Sequence, residues 1–96
     1  MTTDIIIIHN DPSFNISSLN FPFPVYVTIY DTGTKHGKKK GWEIKSEWSA
    51  REDPFIICYE NNKPQKCFYS EADNNIYKSL IEYLNEQSRP DENSSC

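Results

Sequence analysis

The stretch that decides the fold is Tyr30–Trp42, "YDTGTKHGKKKGW". Before it, Val25 to Tyr30 alternates: Val25, Val27 and Ile29 share one side, Tyr26, Thr28 and Tyr30 the other. After it, Trp42 to Trp48 alternates too, with Trp42, Ile44 and Trp48 opposite Glu43, Lys45 and Glu47. Period-two runs of β-branched and aromatic residues predict strands. Two such runs around a glycine-punctuated segment predict a β-hairpin with a long loop, from Asp31 to Gly41. Lys35, His36, Lys38, Lys39 and Lys40 then sit on its solvent-facing tip.

Outward from that hairpin, "DIIIIH" at residues 4–9 reads as a central strand buried on both faces. Asn10 to Pro24 reads as an irregular connection, with a helical turn near Ser13 to Leu19. Its Phe14, Phe21 and Phe23 are placed to cover a core edge. Phe55 to Tyr59 and Lys66 to Tyr69 predict a second hairpin, turning at Asn61-Asn62, because Asn tolerates positive φ. Ser70 to Gln87 predicts a helix capped by Ser70 and Asp73, with Ile76, Tyr77, Leu80, Ile81, Tyr83 and Leu84 on its apolar face. The expected fold is α+β. A small antiparallel or mixed sheet of four to five strands, two β-hairpins plus an N-terminal strand, packs against one C-terminal helix. Residues 1–87 form a single globular domain, and residues 88–96 a disordered polar tail.

A chain of 96 residues supports one small core and leaves little room for a deep cleft. Hydrophobic residues make up only 36%, so two Trp, six Tyr and five Phe must supply much of the burial. The net charge of −4 argues against a general nucleic-acid binder. The charge is uneven, however. Residues 31–51 hold six basic and three acidic side chains, while residues 71–96 hold two and six. A basic tip on an acidic body follows. The only early apolar run, Ile5 to Ile8, is too short for a signal peptide or a membrane span, which points to a cytosolic protein. Cys58, Cys67 and Cys96 form no Cys-x-x-Cys, so no zinc ribbon or disulfide framework is expected. Cys58 and Cys67 are expected on the same side of the second hairpin.

Asp31-Thr32-Gly33 after an apolar strand resembles the catalytic turn of aspartic proteases, whose paired carboxylates share a proton. The length resembles a retroviral-type half-enzyme. The sequence departs from that family at Thr34, in the lysines that follow, and in lacking a later apolar segment ending in glycine to support the site. The competing reading is a turn in which Asp31 bonds its own backbone and Gly33 supplies an unusual φ. Residues 52–84, "EDPFIICYENNKPQKCFYSEADNNIYKSLIEYL", resemble the second half of a thioredoxin fold: a proline before a strand, a hairpin, then a packing helix. The redox Cys-x-x-Cys that the resemblance implies is replaced by Thr34-Lys35-His36-Gly37, so dithiol chemistry is not implied with it.

"HGKKKG" lacks the spacing of a phosphate-binding P-loop. His9 and His36 belong to no recognised catalytic or metal-ligand spacing, and no cofactor or metal is expected. The tyrosines outnumber what so small a core can hold, and exposed Tyr and Trp favour interfaces. The expectation is a small, non-enzymatic interaction module that binds a protein partner or itself, as an adaptor or accessory protein. Its Asn/Ile/Lys-rich composition suits a phage or other mobile element, acting in the host cytoplasm without a membrane. The expected contact residues are Lys35, His36, Lys38, Lys39, Lys40, Tyr26 and Tyr30. The alternative is contact of the lysines at residues 35–40 with nucleic acid or another polyanion.

Overall fold

The computed structural model describes residues 2–88. The elements are β1 (Thr3–His9), a short 3₁₀ turn (Ile16–Ser18), β2 (Tyr26–Asp31), α1 (Lys35–Glu47), β3 (Phe55–Glu60), β4 (Lys63–Tyr69) and α2 (Ile76–Ser88). They build an α+β fold with a four-stranded mixed sheet in the order β2-β1-β3-β4 and two helices. β1 pairs in parallel with β2 and antiparallel with β3, and β3 pairs antiparallel with β4.

The central placement of the Ile5–Ile8 run is confirmed. Ile5 and Ile7 face one core, with Ile56, Cys58, Phe68 and the α2 residues Ile76, Leu80 and Leu84. Phe14, Ile16, Leu19, Phe21 and Phe23 pack on that same side, so the connection after β1 does cover the sheet. Ile8, Ala50, Phe55 and Ile57 form the opposite core, against Ile44 and Trp48. The two-sided burial of β1 and β3 explains why their runs are nearly all apolar. The hairpin turn is also as read: Asn61 and Asn62 both have positive φ, 52° and 67°.

The first predicted hairpin does not exist. Residues 35–47 are a helix, not a loop tip and a strand. One hairpin and two helices replace the expected two hairpins and one helix. The reason lies in what α1 buries. Its inward side is Gly37, Gly41 and Lys45, a four-residue spacing that contains no large apolar side chain. Glycine is needed there for close approach. A Cβ on Gly37 would lie 2.1 Å from the Asp31 carbonyl oxygen, and one on Gly41 3.0 Å from methyls of Ile8 and Thr32. Thr34 caps the helix by accepting a hydrogen bond from the Gly37 N–H at 3.0 Å. At the other end, Ala50 N–H bonds the Lys45 carbonyl and Ser49 N–H the Ser46 carbonyl, with Ser49 at φ 58°. This is a Schellman cap with serine where glycine is usual.

Three smaller expectations are also corrected. α2 starts at Ile76, not Ser70. Asn75 accepts from the Lys78 N–H at 3.2 Å as the cap, and Asp73 braces the approach by accepting from the Asn75 N–H at 3.0 Å. Ser70 Oγ is buried without a hydrogen-bond partner among the described residues. Cys58 and Cys67 face opposite cores, because Cys67 is opposite Ile57 and Cys58 opposite Lys66. No glycine among the described residues has positive φ, so Gly33 supplies no unusual backbone. Of the tail expected at residues 88–96, Ser88 instead ends α2, and the rest lies outside the described residues.

Candidate functional site

The parallel strands β1 and β2 both end at one edge of the molecule, at His9 and Asp31. α1 begins there, and so does β3, because β3 runs antiparallel to β1. Three connections therefore converge: residues 10–15 after β1, residues 32–34 before α1, and residues 51–54 before β3. Pro54 stands at the head of β3, with a cis peptide bond to Asp53.

Asp53 ties the connections together. Its Oδ1 accepts a hydrogen bond from Lys45 Nζ at 2.6 Å, and its Oδ2 accepts one from Thr32 Oγ1 at 2.9 Å. Thr32 N–H donates in turn to the His9 carbonyl at 2.8 Å. Lys45 is only 2% exposed, so its ammonium has left water for this one carboxylate. The helical side chain points back towards the α1 N-terminus, which is how a residue in the third turn reaches the head of β3. The indole of Trp42 lies over the same ammonium, with its ring centroid 4.7 Å from Nζ. Trp42 nevertheless remains 50% exposed. A large aromatic is thus held in place from beneath and presented to solvent above.

Beside this cluster lies a cleft of about 450 Å³ lined by His9, Asn10, Asp11, Glu52, Asp53, Pro54 and Tyr77. His9 Nδ1 accepts from the Asp11 N–H at 3.1 Å, so a neutral ring carries its proton on Nε2. Its ring packs on Phe14, which packs in turn on Tyr77. Hydrogen bonds from the Ser13 side chain and backbone hold the Asp11 carboxyl below its ordinary value. Burial pushes the Tyr77 phenol up to about 12, with the Asp11 and Asp53 carboxylates adding to the shift. Among the described residues no three His, Cys, Asp or Glu side chains converge as a metal site would require.

The predicted contact residues are only partly brought together. Lys35, His36, Lys38, Lys39 and Lys40 lie on exposed positions of α1. Helical spacing puts Lys35, Lys38 and Lys39 on one ridge that continues into Trp42. Lys40 approaches Glu43 at 4.0 Å, whereas Lys35, Lys38 and Lys39 form no ion pair among the described residues. Tyr26 is the most exposed large side chain on β2, at 69%. Tyr30 is half-buried against the core beneath α1.

Asp31 behaves as the turn residue. Its Oδ1 accepts from the Gly33 N–H at 2.8 Å, and its carbonyl accepts from the Thr34 N–H and Oγ1. The segment Thr34–Gly37, which stands where the thioredoxin resemblance puts its dithiol, is the first turn of α1. Neither described cysteine is near it. Cys58 is fully buried in β3, and burial raises its thiol to about 11. The residues missed from sequence are Trp42, Lys45, Thr32, Asp53 and Tyr77. The signal that finds the first two is Gly37-x-x-x-Gly41-x-x-x-Lys45, a helical stripe rather than loop punctuation. The chain matches no protein-family model and no curated protein sequence. No helix among the described residues is long and apolar enough to cross a membrane.

Proposed function

We propose that the chain is a non-enzymatic protein-binding module whose contact face is built from Trp42, the neighbouring Lys38 and the Asp53–Pro54 segment. The observation that carries this reading is Trp42: half in solvent, yet fixed over the buried Lys45–Asp53 pair. A pre-placed aromatic loses little freedom on binding, which is what makes such side chains interface hot spots. All three exposed large hydrophobics among the described residues, Tyr26, Ile29 and Trp42, fall on β2 and α1.

A non-redox thioredoxin-like frame fits the same picture. The proline before a strand, the hairpin and the packing helix implied by the resemblance are all present, and the segment after β1 that lies beside Pro54, Asn10 to Ser13, contains no cysteine. The module is an accessory or adaptor protein acting in the cytoplasm. The test is affinity capture with the wild type, Trp42→Ala and Lys38→Glu. Loss of one protein partner in Trp42→Ala, with the fold retained by circular dichroism, supports the reading. Unchanged capture by Trp42→Ala overturns it, as does an inhibitor-sensitive proteolysis abolished by Asp31→Asn.

A second reading, contact with a polyanion, is favoured by one observation. The first turn of α1 holds Lys35, His36 and Lys38 and no acid, against the helix dipole. Salt-dependent binding to an oligonucleotide that disappears when Lys35, Lys38 and Lys39 become Glu would select it.

A further inference from the structure

We infer that the chain self-associates by antiparallel pairing of β2 with β2 of a second copy, joining two four-stranded sheets into one of eight strands. The argument starts from the two edges of the sheet, which are unlike. β4 carries Lys63, Pro64 and Lys66, and its register with β3 shifts at Cys58/Tyr59. Lysine, proline and a bulge are the devices that keep an edge from pairing. β2 has none of them. Tyr26–Asp31 pairs with Asp4–His9 in unbroken register, and no strand among the described residues pairs with its other side. Tyr26 and Ile29 remain in solvent on it.

The occupant follows from the sequence of that edge. Tyr26-Val27-Thr28-Ile29-Tyr30 is a chemical palindrome: aromatic, β-branched, Thr, β-branched, aromatic. In a two-fold antiparallel pair, directly opposed side chains lie on the same side of the sheet. A two-fold at Thr28 therefore sets Tyr26 opposite Tyr30 of the copy, and Thr28 opposite Thr28, on the α1 side. Val27 meets Ile29 on the other side. Aromatic, β-branched and Thr–Thr pairs are the favourable cross-strand combinations. No other chain needs to match this pattern, because the strand matches itself.

The paired surface is smaller than a standard interface of about 1,600 Å², so the dimer is expected to be weak, with Kd of roughly 1–100 µM. This inference concerns a different surface from Trp42 and stands without the partner-binding reading.

Sedimentation across a wide concentration range, with hydrogen exchange of the wild-type β2 amides, tests it. The expected result is a monomer–dimer equilibrium, with β2 amides gaining protection as the dimer forms. Thr28→Lys, which sets like charges opposite on the two-fold, weakens the dimer by about tenfold or more. Thr28→Val and Trp42→Ala leave it intact. A monomer up to about 1 mM, well above the expected Kd range, overturns the inference. So does a dimer whose β2 amides gain no protection, or one that Trp42→Ala dissolves and Thr28→Lys does not. The hydrogen-exchange arm needs no variant, so a Thr28→Lys that fails to fold does not blunt the test.

Discussion

Asp53 and Lys45 do not depend on each other equally. The Lys45 side chain is almost wholly out of water, whereas Asp53 keeps 19% of its side-chain surface exposed and a second hydrogen bond from Thr32. Asp53→Ala leaves an ammonium buried with only an indole face for company. Breaking a buried pair in this way costs about 3–5 kcal/mol. Lys45→Met leaves a carboxylate that water and Thr32 still solvate, so it is expected to cost clearly less. Urea denaturation of the two variants checks the order, and equal losses would count against the geometry. Gly37 gives a prediction of opposite sign to its propensity. Alanine in a helix interior ordinarily gains up to about 1 kcal/mol over glycine. Here the added Cβ meets backbone at 2.1 Å, and backbone cannot move aside as a side-chain end can. Gly37→Ala is therefore expected to lose about 1–3 kcal/mol as an overpacked contact. Gly41→Ala meets only methyl groups and is expected to lose less.

At the scale of elements, α1 separates what the sequence displays from what it conceals. β1, β3 and the Asn61-Asn62 turn were legible because their signals are local: continuous apolar runs, and residues that accept positive φ. The core face of α2 was legible from its apolar period. α1 was not, because its inward stripe is glycine and lysine, residues that normally mark a loop. The alternation of Trp42, Ile44 and Trp48 is also compatible with a helix in which Trp42 points outward and Ile44 and Trp48 point inward. Both of its ends were hidden. Gly37 stands at N3 where a capping box would carry Glu or Gln, and Ser49 stands where a stop signal would carry glycine. Thr32, Asp53 and Tyr77 could not be joined in sequence, since their contact depends on the three-way convergence at the end of the sheet. The same helix ends yield a test. Ser49→Gly removes the cost of a left-handed serine and is expected to stabilise by about 1 kcal/mol, or roughly 4–8 °C in Tm. Lys35→Glu and Lys38→Glu place acids in the first turn and are expected to add about 0.3–1 kcal/mol each at low salt. Stabilisation by removing these lysines would show that they are kept for contact rather than for folding. Lower Tm values would instead tie them to the fold.

For the whole molecule, Tyr77 is where the separate pieces meet. It comes from α2, packs on Phe14 from the connection after β1, and lines the cleft shared with Asp53 and Pro54. Its phenol is raised to about 12 first by burial and then by two carboxylates, Asp11 and Asp53, which oppose a further negative charge. An unfolded tyrosine ionises near 10. Between those values the unfolded chain releases a proton that the folded chain retains, so the stability linked to Tyr77 is complete below about pH 10 and is lost as the pH rises towards about 12. Burial also raises Tyr59, Tyr69, Tyr83, Cys58 and Cys67, so the fall in total stability alone is not diagnostic. The difference between wild type and Tyr77→Phe is. Urea midpoints taken at pH 9 and pH 11 are expected to fall further for the wild type than for Tyr77→Phe, since phenylalanine has no proton to release. Parallel declines would mean that the phenol faces open water, and that α2 does not close over the Asp11–Asp53 cleft. A steeper decline in the wild type would instead place α2, the β1 connection and the head of β3 in one cooperative unit, the support on which a fixed Trp42 depends.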